Sequence, residues 1–150
     1  MSFATIAAAL TVRDQIIGAL SGNAALVALL ATTPQGAPAI LPTGTVDPQL
    51  VHKPFLWVIN EGGGPPDDAG PDLVTFSIEA HERPGYGLVK LDTIVGAIRL
   101  IFDGRRWELP TGGGPGRAYY SEWIGATGEL PDPGFKTIKR KCRVRLYMSP

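Results

Sequence analysis

The sequence predicts an α+β fold: a four-stranded, mainly antiparallel sheet with an N-terminal helical hairpin and one central helix packed on one face. Two observations carry this prediction. Four segments have the composition or the two-residue alternation of strands, and they form two pairs, at 55–81 and at 117–148. Apolar residues recur at three- and four-residue spacing before the first pair and between the two pairs. Helices at these places are expected to cover one side of the sheet.

The helices are predicted from their apolar stripes and their end signals. Residues 5–20 form an amphipathic pattern that ends at Ser21-Gly22-Asn23, where the glycine suits the end of one helix and the asparagine can cap the next. Residues 24–31 are short and apolar and complete a helical hairpin. The central helix is expected at 88–102 and ends before Gly104.

The four strands are predicted at 55–60, 73–81, 117–128 and 136–148. The second is the clearest, because apolar residues alternate with polar ones over its whole length. A short edge strand is also expected near residues 39–41. The remaining segments are rich in glycine and proline, so we predict one domain over residues 1–150 with long loops at 32–53, 61–72 and 108–116.

The fourth strand carries the most distinctive feature of the sequence. With a period of two, one face holds Lys139, Lys141, Arg143 and Arg145, and the other holds Ile138, Cys142, Val144, Leu146 and Met148, with Arg140 as the exception. Residues 136–150 contain six basic residues and no acid, whereas the preceding residues contain eight basic and fourteen acidic ones. A chain divided in charge in this way is expected to contact another molecule.

No motif points to catalysis. The two glycine runs lack the pattern of a phosphate-binding loop and do not lie between a strand and the start of a helix. His81 and Glu79 share a strand face, but a zinc site needs three or four ligands, and Cys142 is expected in the core. We therefore predict no enzyme, no catalytic residue, no cofactor and no metal. The chain also lacks an uncharged stretch of about 20 apolar residues, so we expect no membrane segment.

We call Lys139, Lys141, Arg143 and Arg145 the basic row, and their clustering has three interpretations. Charged side chains can simply keep an edge strand soluble and unpaired. They can contact acids of a neighbouring copy, for which the candidates are Asp67, Asp68, Asp72, Glu79 and Glu82. They can also meet a nucleic-acid backbone, in which case the protein is a small nucleic-acid-binding domain. Arg117 is expected beside the basic row, on the strand that pairs with it.

The layout resembles the tail-completion, or tail-terminator, proteins of long-tailed bacteriophages. The resemblance is carried by the helical opening ALSGNAALVAL at 19–29, the strand PFLWVI at 54–59, the strand VTFSIEA at 74–80 and the helix LDTIVGAI at 91–98. It is completed by a closing hairpin whose last strand alternates charged and apolar residues.

This resemblance implies a structural virion protein, made in the host cytoplasm and located in the tail or neck. It would form a ring, usually a hexamer, that ends the tail tube and joins it to the head-side connector. Its partners would be copies of itself, the tail-tube protein and the connector protein, with DNA passing through the channel. The opposite charges within one chain agree with a head-to-tail contact that closes into a ring. Another head–tail neck protein, a stopper or an adaptor, is the alternative.

Overall fold

The computed structural model describes residues 12–42, 53–64, 72–85, 88–107 and 117–148. The helices in these ranges are α1 (Val12–Ser21), α2 (Ala24–Val27) and α3 (Leu88–Phe102). The strands are β1 (Ile40–Pro42), β2 (Phe55–Gly64), β3 (Asp72–Glu82), β4 (Arg105–Arg106), β5 (Ala118–Ala126), β6 (Leu130–Asp132) and β7 (Thr137–Met148).

All seven strands belong to one sheet, in the order β1-β2-β3-β7-β5-β4, with β6 paired to the start of β7. Every pairing is antiparallel except that of β1 with β2. The α+β class is therefore confirmed, and the four predicted strands are the four long central ones. The predicted strand number of four was wrong, because the described residues form seven strands. The short edge strand expected near residues 39–41 is present as β1, whereas β4 and β6 are two or three residues long, too short to show an alternation.

One face of the sheet is apolar and packs against the helices. The alternation predicted for the last strand is confirmed, since Cys142, Val144 and Leu146 are fully buried on this face. Arg140 also deviates as predicted. Its guanidinium donates to the Thr127 carbonyl at 2.9 Å and to Asp92 of α3 at 2.7 Å, so it ties the sheet to the helix.

The element ends follow from local chemistry. The Asn23 side chain caps α2 by accepting from the Leu26 amide at 2.9 Å, but the α-helix ends at Val27 and does not reach residue 31 as predicted. Gly104 follows α3 with a φ of 63°, a conformation that favours glycine. The predicted loop at 61–72 is shorter than expected, because β2 continues through a bulge to Gly64 and β3 begins at Asp72.

The opposite face of the sheet is divided into an aromatic end and a polar remainder. At the aromatic end, Phe135 from the β6–β7 turn packs on Phe55 and Trp57, with ring centroids 5.2 and 4.6 Å apart. His81 is fully buried there and stacks on Phe55 at 4.6 Å. The basic row begins beside this cluster.

Candidate interaction surface

The register of the three central strands assembles the polar face. On β7, Lys139, Lys141, Arg143 and Arg145 lie opposite His81, Glu79, Ser77 and Thr75 of β3, and Arg145 also lies opposite Glu122 of β5. Alternate residues of antiparallel strands point to the same face, so these side chains share one surface. We call this set, together with Glu61, the polar face.

Glu61 neutralises two members of the row. Its carboxylate lies 2.9 Å from the Lys141 ammonium and 3.0 Å from the Arg143 guanidinium, and it accepts a hydrogen bond from Ser77. Burial by itself would raise the pKa of Glu61. The Ser77 hydrogen bond and the two cations outweigh it and lower this pKa from 4.5 to about 2.

Glu122 of β5 neutralises the far end of the row. One of its carboxylate oxygens accepts from the Arg145 guanidinium at 3.0 Å and from the Tyr147 hydroxyl at 2.9 Å. The hydrogen bond to Glu122 raises the pKa of Tyr147, because the carboxylate holds the phenolic proton. The Arg145 side chain is nevertheless 40% exposed, and that of Arg143 is 50% exposed. Both can contact another molecule.

Lys139 lies at the near end, between two acids. Its ammonium is 3.3 Å from Glu79 and 3.2 Å from Asp132. Burial raises the pKa values of both acids, but the hydrogen bonds they accept and the charge of Lys139 outweigh it, so both pKa values are lowered. Burial alone would lower the pKa of Lys139, yet the two carboxylates raise it.

Beside Lys139 lies the only group of side chains among the described residues that could hold a metal ion. Single ligand atoms of Glu79, His81 and Asp132 lie within 4.8 Å of one another. His81 is hydrogen-bonded through Nδ1 to Thr137 at 2.7 Å and through Nε2 to Glu79 at 3.1 Å. These three residues have donor atoms that suit a divalent cation, but the Lys139 ammonium already bridges the two carboxylates.

The structure brings the four predicted basic residues together with acids of the same chain. Glu79 was a candidate partner in a neighbouring copy, and it binds Lys139 within the chain. Glu61, Glu122 and Asp132 were not predicted as partners. Glu61 directly follows the strand predicted at 55–60 and precedes three glycines. It was therefore assigned to a loop, although it belongs to β2. Glu122 and Asp132 become neighbours of β7 only through the pairing register, which local alternation does not specify.

The remaining predicted contact residues lie elsewhere. Arg117 directly precedes β5, whose first residue pairs with Met148, so it lies beyond the end of the row and not beside it. Asp72 opens β3 and also pairs with Met148. Asp67 and Asp68 lie outside the described residues. Whether any of these residues contacts another chain remains a prediction.

Comparison with known proteins shows that the fold of this chain is similar to that of a solved structure. No family model and no curated protein matches the chain. A chain solved as part of the "Virion of native gene transfer agent (GTA) particle" is similar to it, with a TM-score of 0.67 and 13% sequence identity. The match covers 99% of this chain and 100% of that one. The two chains therefore share a fold over their full lengths. In the described part of the chain, no helix combines the length and apolar character needed to cross a membrane.

Proposed function

We propose that this protein is a structural component of a phage-type virion that forms a ring at the head-proximal end of the tail. The ring would terminate the tail tube and join it to the head connector. The observation that carries this proposal is the full-length likeness to a chain of a gene transfer agent virion. The layout that resembles tail-terminator proteins supports the finer assignment to the end of the tail.

The polar face supports a role in contact between subunits. Its four cations are paired with the three acids of the face and with Asp132, and the side chains of Arg143 and Arg145 remain 50% and 40% exposed. Such a surface presents a fixed pattern of charge to a neighbour, and patterned charge contributes specificity and register more than affinity. A neighbouring acid would extend this network and not neutralise an unpaired row.

The experiment that tests the proposal measures mass in solution, first for the protein alone and then with purified tail-tube protein of the same particle. A terminator is expected to form a closed oligomer, hexameric by resemblance, and to bind the end of assembled tubes. Particles lacking the protein should then contain tubes of uncontrolled length. Tubes of normal length that fail to join heads would instead identify a stopper or an adaptor, and a protein absent from purified particles would overturn the proposal.

A further inference from the structure

Three residues that can bind a metal ion converge beside the β6–β7 turn. Glu79 and His81 lie two residues apart on β3 and point to the same face, and Asp132 comes from β6 on the other side of β7. One ligand atom of each lies within 4.8 Å of the others, and we call the three the Glu–His–Asp group. The expectation of no metal from the sequence rested on Glu79 and His81 alone. The pairing of β6 with β7 supplies the third ligand.

The Glu–His–Asp group is largely withdrawn from solvent. His81 is fully buried and Glu79 is 4% exposed, whereas the Asp132 side chain is 14% exposed. The ring of Phe55 stacks on that of His81 with centroids 4.6 Å apart, and the ring of Phe135 packs beside it at 4.9 Å. An apolar shell of this kind limits the access of water to a bound ion.

A hydrogen bond fixes the direction of the His81 ring. Its Nδ1 lies 2.7 Å from the hydroxyl of Thr137, which is itself 2% exposed. When Nδ1 carries the proton and donates to this hydroxyl, Nε2 presents its lone pair toward Oε1 of Glu79, 3.1 Å away. In this tautomer Nε2 and the carboxylate are both acceptors, an arrangement that a metal ion between them stabilises. Histidines that bind metals are commonly held in this way through their second ring nitrogen.

The charges at this site favour a divalent ion. With His81 neutral, the carboxylates of Glu79 and Asp132 supply two negative charges, and the Lys139 ammonium that bridges them supplies one positive charge. A divalent ion in place of the ammonium would balance both carboxylates. The Lys139 side chain is 22% exposed and has a flexible four-carbon stem, so its ammonium can move outward into solvent.

We propose that Glu79, His81 and Asp132 bind one divalent transition-metal ion, and that the Lys139 side chain moves outward to admit it. Imidazole nitrogen and carboxylate oxygen are both ligands of Zn²⁺, whereas Mg²⁺ and Ca²⁺ take oxygen ligands. A water molecule would complete four-coordination in the volume that the ammonium leaves. The ion would link β3 to β6 and so hold the β6–β7 turn against the sheet. All three ligands belong to one chain, so the site does not require the proposed ring.

Calorimetric titration of chelator-treated wild-type protein with Zn²⁺ tests this site. We expect saturation at one ion per chain and weaker binding of Mg²⁺. Asp132→Asn is the main variant, because an asparagine oxygen can still accept the hydrogen bond that the Phe135 amide donates to Asp132. It should weaken Zn²⁺ binding by at least about tenfold, since changes outside the ligand set already have an effect of that size. Asp103→Asn, which removes an exposed carboxylate directly after α3, is the matched control and should bind Zn²⁺ like wild type.

Lys139→Met separates the effect of the metal ion from that of the lysine. Removing the competing ammonium should tighten Zn²⁺ binding by roughly tenfold. Saturating Zn²⁺ should therefore raise the melting temperature of Lys139→Met more than that of wild type. Wild-type protein that shows no saturable binding at millimolar Zn²⁺ would overturn the proposal, even if Lys139→Met binds the ion, because the ammonium would then be the resident cation.

Other candidate ligands of the chain serve to locate the binding. His52 is the second of the two histidines in the sequence, and His52→Asn should leave Zn²⁺ binding unchanged. Cys142 does not compete for the ion, since it is fully buried and burial raises its pKa to about 12. Loss of binding in His52→Asn, unchanged binding in Asp132→Asn, or equal affinities for Zn²⁺ and Mg²⁺ would each overturn the proposal.

Discussion

Glu61 has the densest set of ionic contacts on the polar face. It binds two cations and a hydroxyl from two different strands, β3 and β7. A partly exposed ion pair ordinarily contributes less than about 1 kcal/mol, whereas a carboxylate shared by several donors contributes more. Glu61 therefore contributes through its shared contacts, because one carboxylate holds the two side chains, Lys141 and Arg143, that are proposed to contact a neighbour.

Glu61→Gln is therefore expected to lower the free energy of unfolding by about 1 kcal/mol at pH 7. The difference from wild type should depend on pH. The folded-state pKa of Glu61 is about 2 and its ordinary value is 4.5, so its contribution is complete above pH 4.5 and is lost as the pH falls through about 2. Urea unfolding at a series of pH values between 7 and 2 measures this.

Glu129→Gln is the matched control for this variant, since it removes an exposed acid from the β5–β6 connection. It should leave the unfolding free energy within about 0.5 kcal/mol of wild type. A Glu61→Gln protein whose deficit stays constant down to pH 2 would show that the carboxylate charge is not what stabilises the fold.

Lys139 is expected to stabilise the folded protein through its two ion pairs. Its ammonium neutralises Glu79, which is only 4% exposed, and also Asp132. Lys139→Met keeps the side-chain length but leaves two acids without their shared cation, so we expect a loss of roughly 2 kcal/mol in stability at pH 7. The pKa of Lys139 is raised above 10.5, so the wild-type contribution is complete below that pH and is lost as the pH rises beyond it.

Thermal melts between pH 7 and pH 11 check this prediction. The gap between wild type and Lys139→Met should narrow above pH 10.5. Lys90→Met, at an exposed position of α3, is the control and should melt close to wild type at every pH. The opposite trend, a gap that widens with pH, would contradict the assignment of Lys139 as the shared cation.

At the scale of elements, the sequence predicted the long strands and missed what depends on pairing. Alternation in β7 is a local property, so the buried side of Cys142 and the exception at Arg140 could both be predicted. The partner of Lys141 could not, because Glu61 is eighty residues away and reaches it only across β3. The three glycines after Glu61 predict a loop, so the end of β2 could not be predicted, because the strand continues through a bulge to Gly64.

Reversing the charges along β7 tests whether the polar face is recognised by a neighbour. Lys141→Glu with Arg143→Glu would place two further carboxylates beside that of Glu61, so we expect this double variant to be destabilised by several kcal/mol. Adding Glu61→Lys restores opposite charges within the chain and should recover most of the stability. If a neighbour reads these charges, as proposed, the triple variant should be folded and should still fail to assemble on sizing chromatography. An assembled triple variant would contradict the contact role of the row.

At the scale of the whole molecule, the charge division of the sequence largely disappears in the fold. The last fifteen residues are strongly basic and the rest is acidic, but in the sheet the compensating acids come from the strands next to β7 and, for Glu61, from β2 beyond β3. Lys139, Lys141, Arg143 and Arg145 face Glu61, Glu79, Glu122 and Asp132 in equal number. The basic residues that are clustered at the end of the sequence are thus paired with acidic residues of other strands in the folded protein.

This balance leads to a prediction about DNA. Four unpaired cations contacting phosphates would give a slope of log affinity against log salt of about −3.6. Because each cation of the row already has a carboxylate partner, we expect the wild-type protein to bind duplex DNA weakly with a slope shallower than about −1 in a filter assay. A Glu61→Gln, Glu122→Gln double variant frees Lys141, Arg143 and Arg145 and should steepen the slope, whereas Glu129→Gln should not. A steep slope for wild type would instead favour the nucleic-acid-binding alternative, since the phosphates would then have displaced the carboxylates from the row.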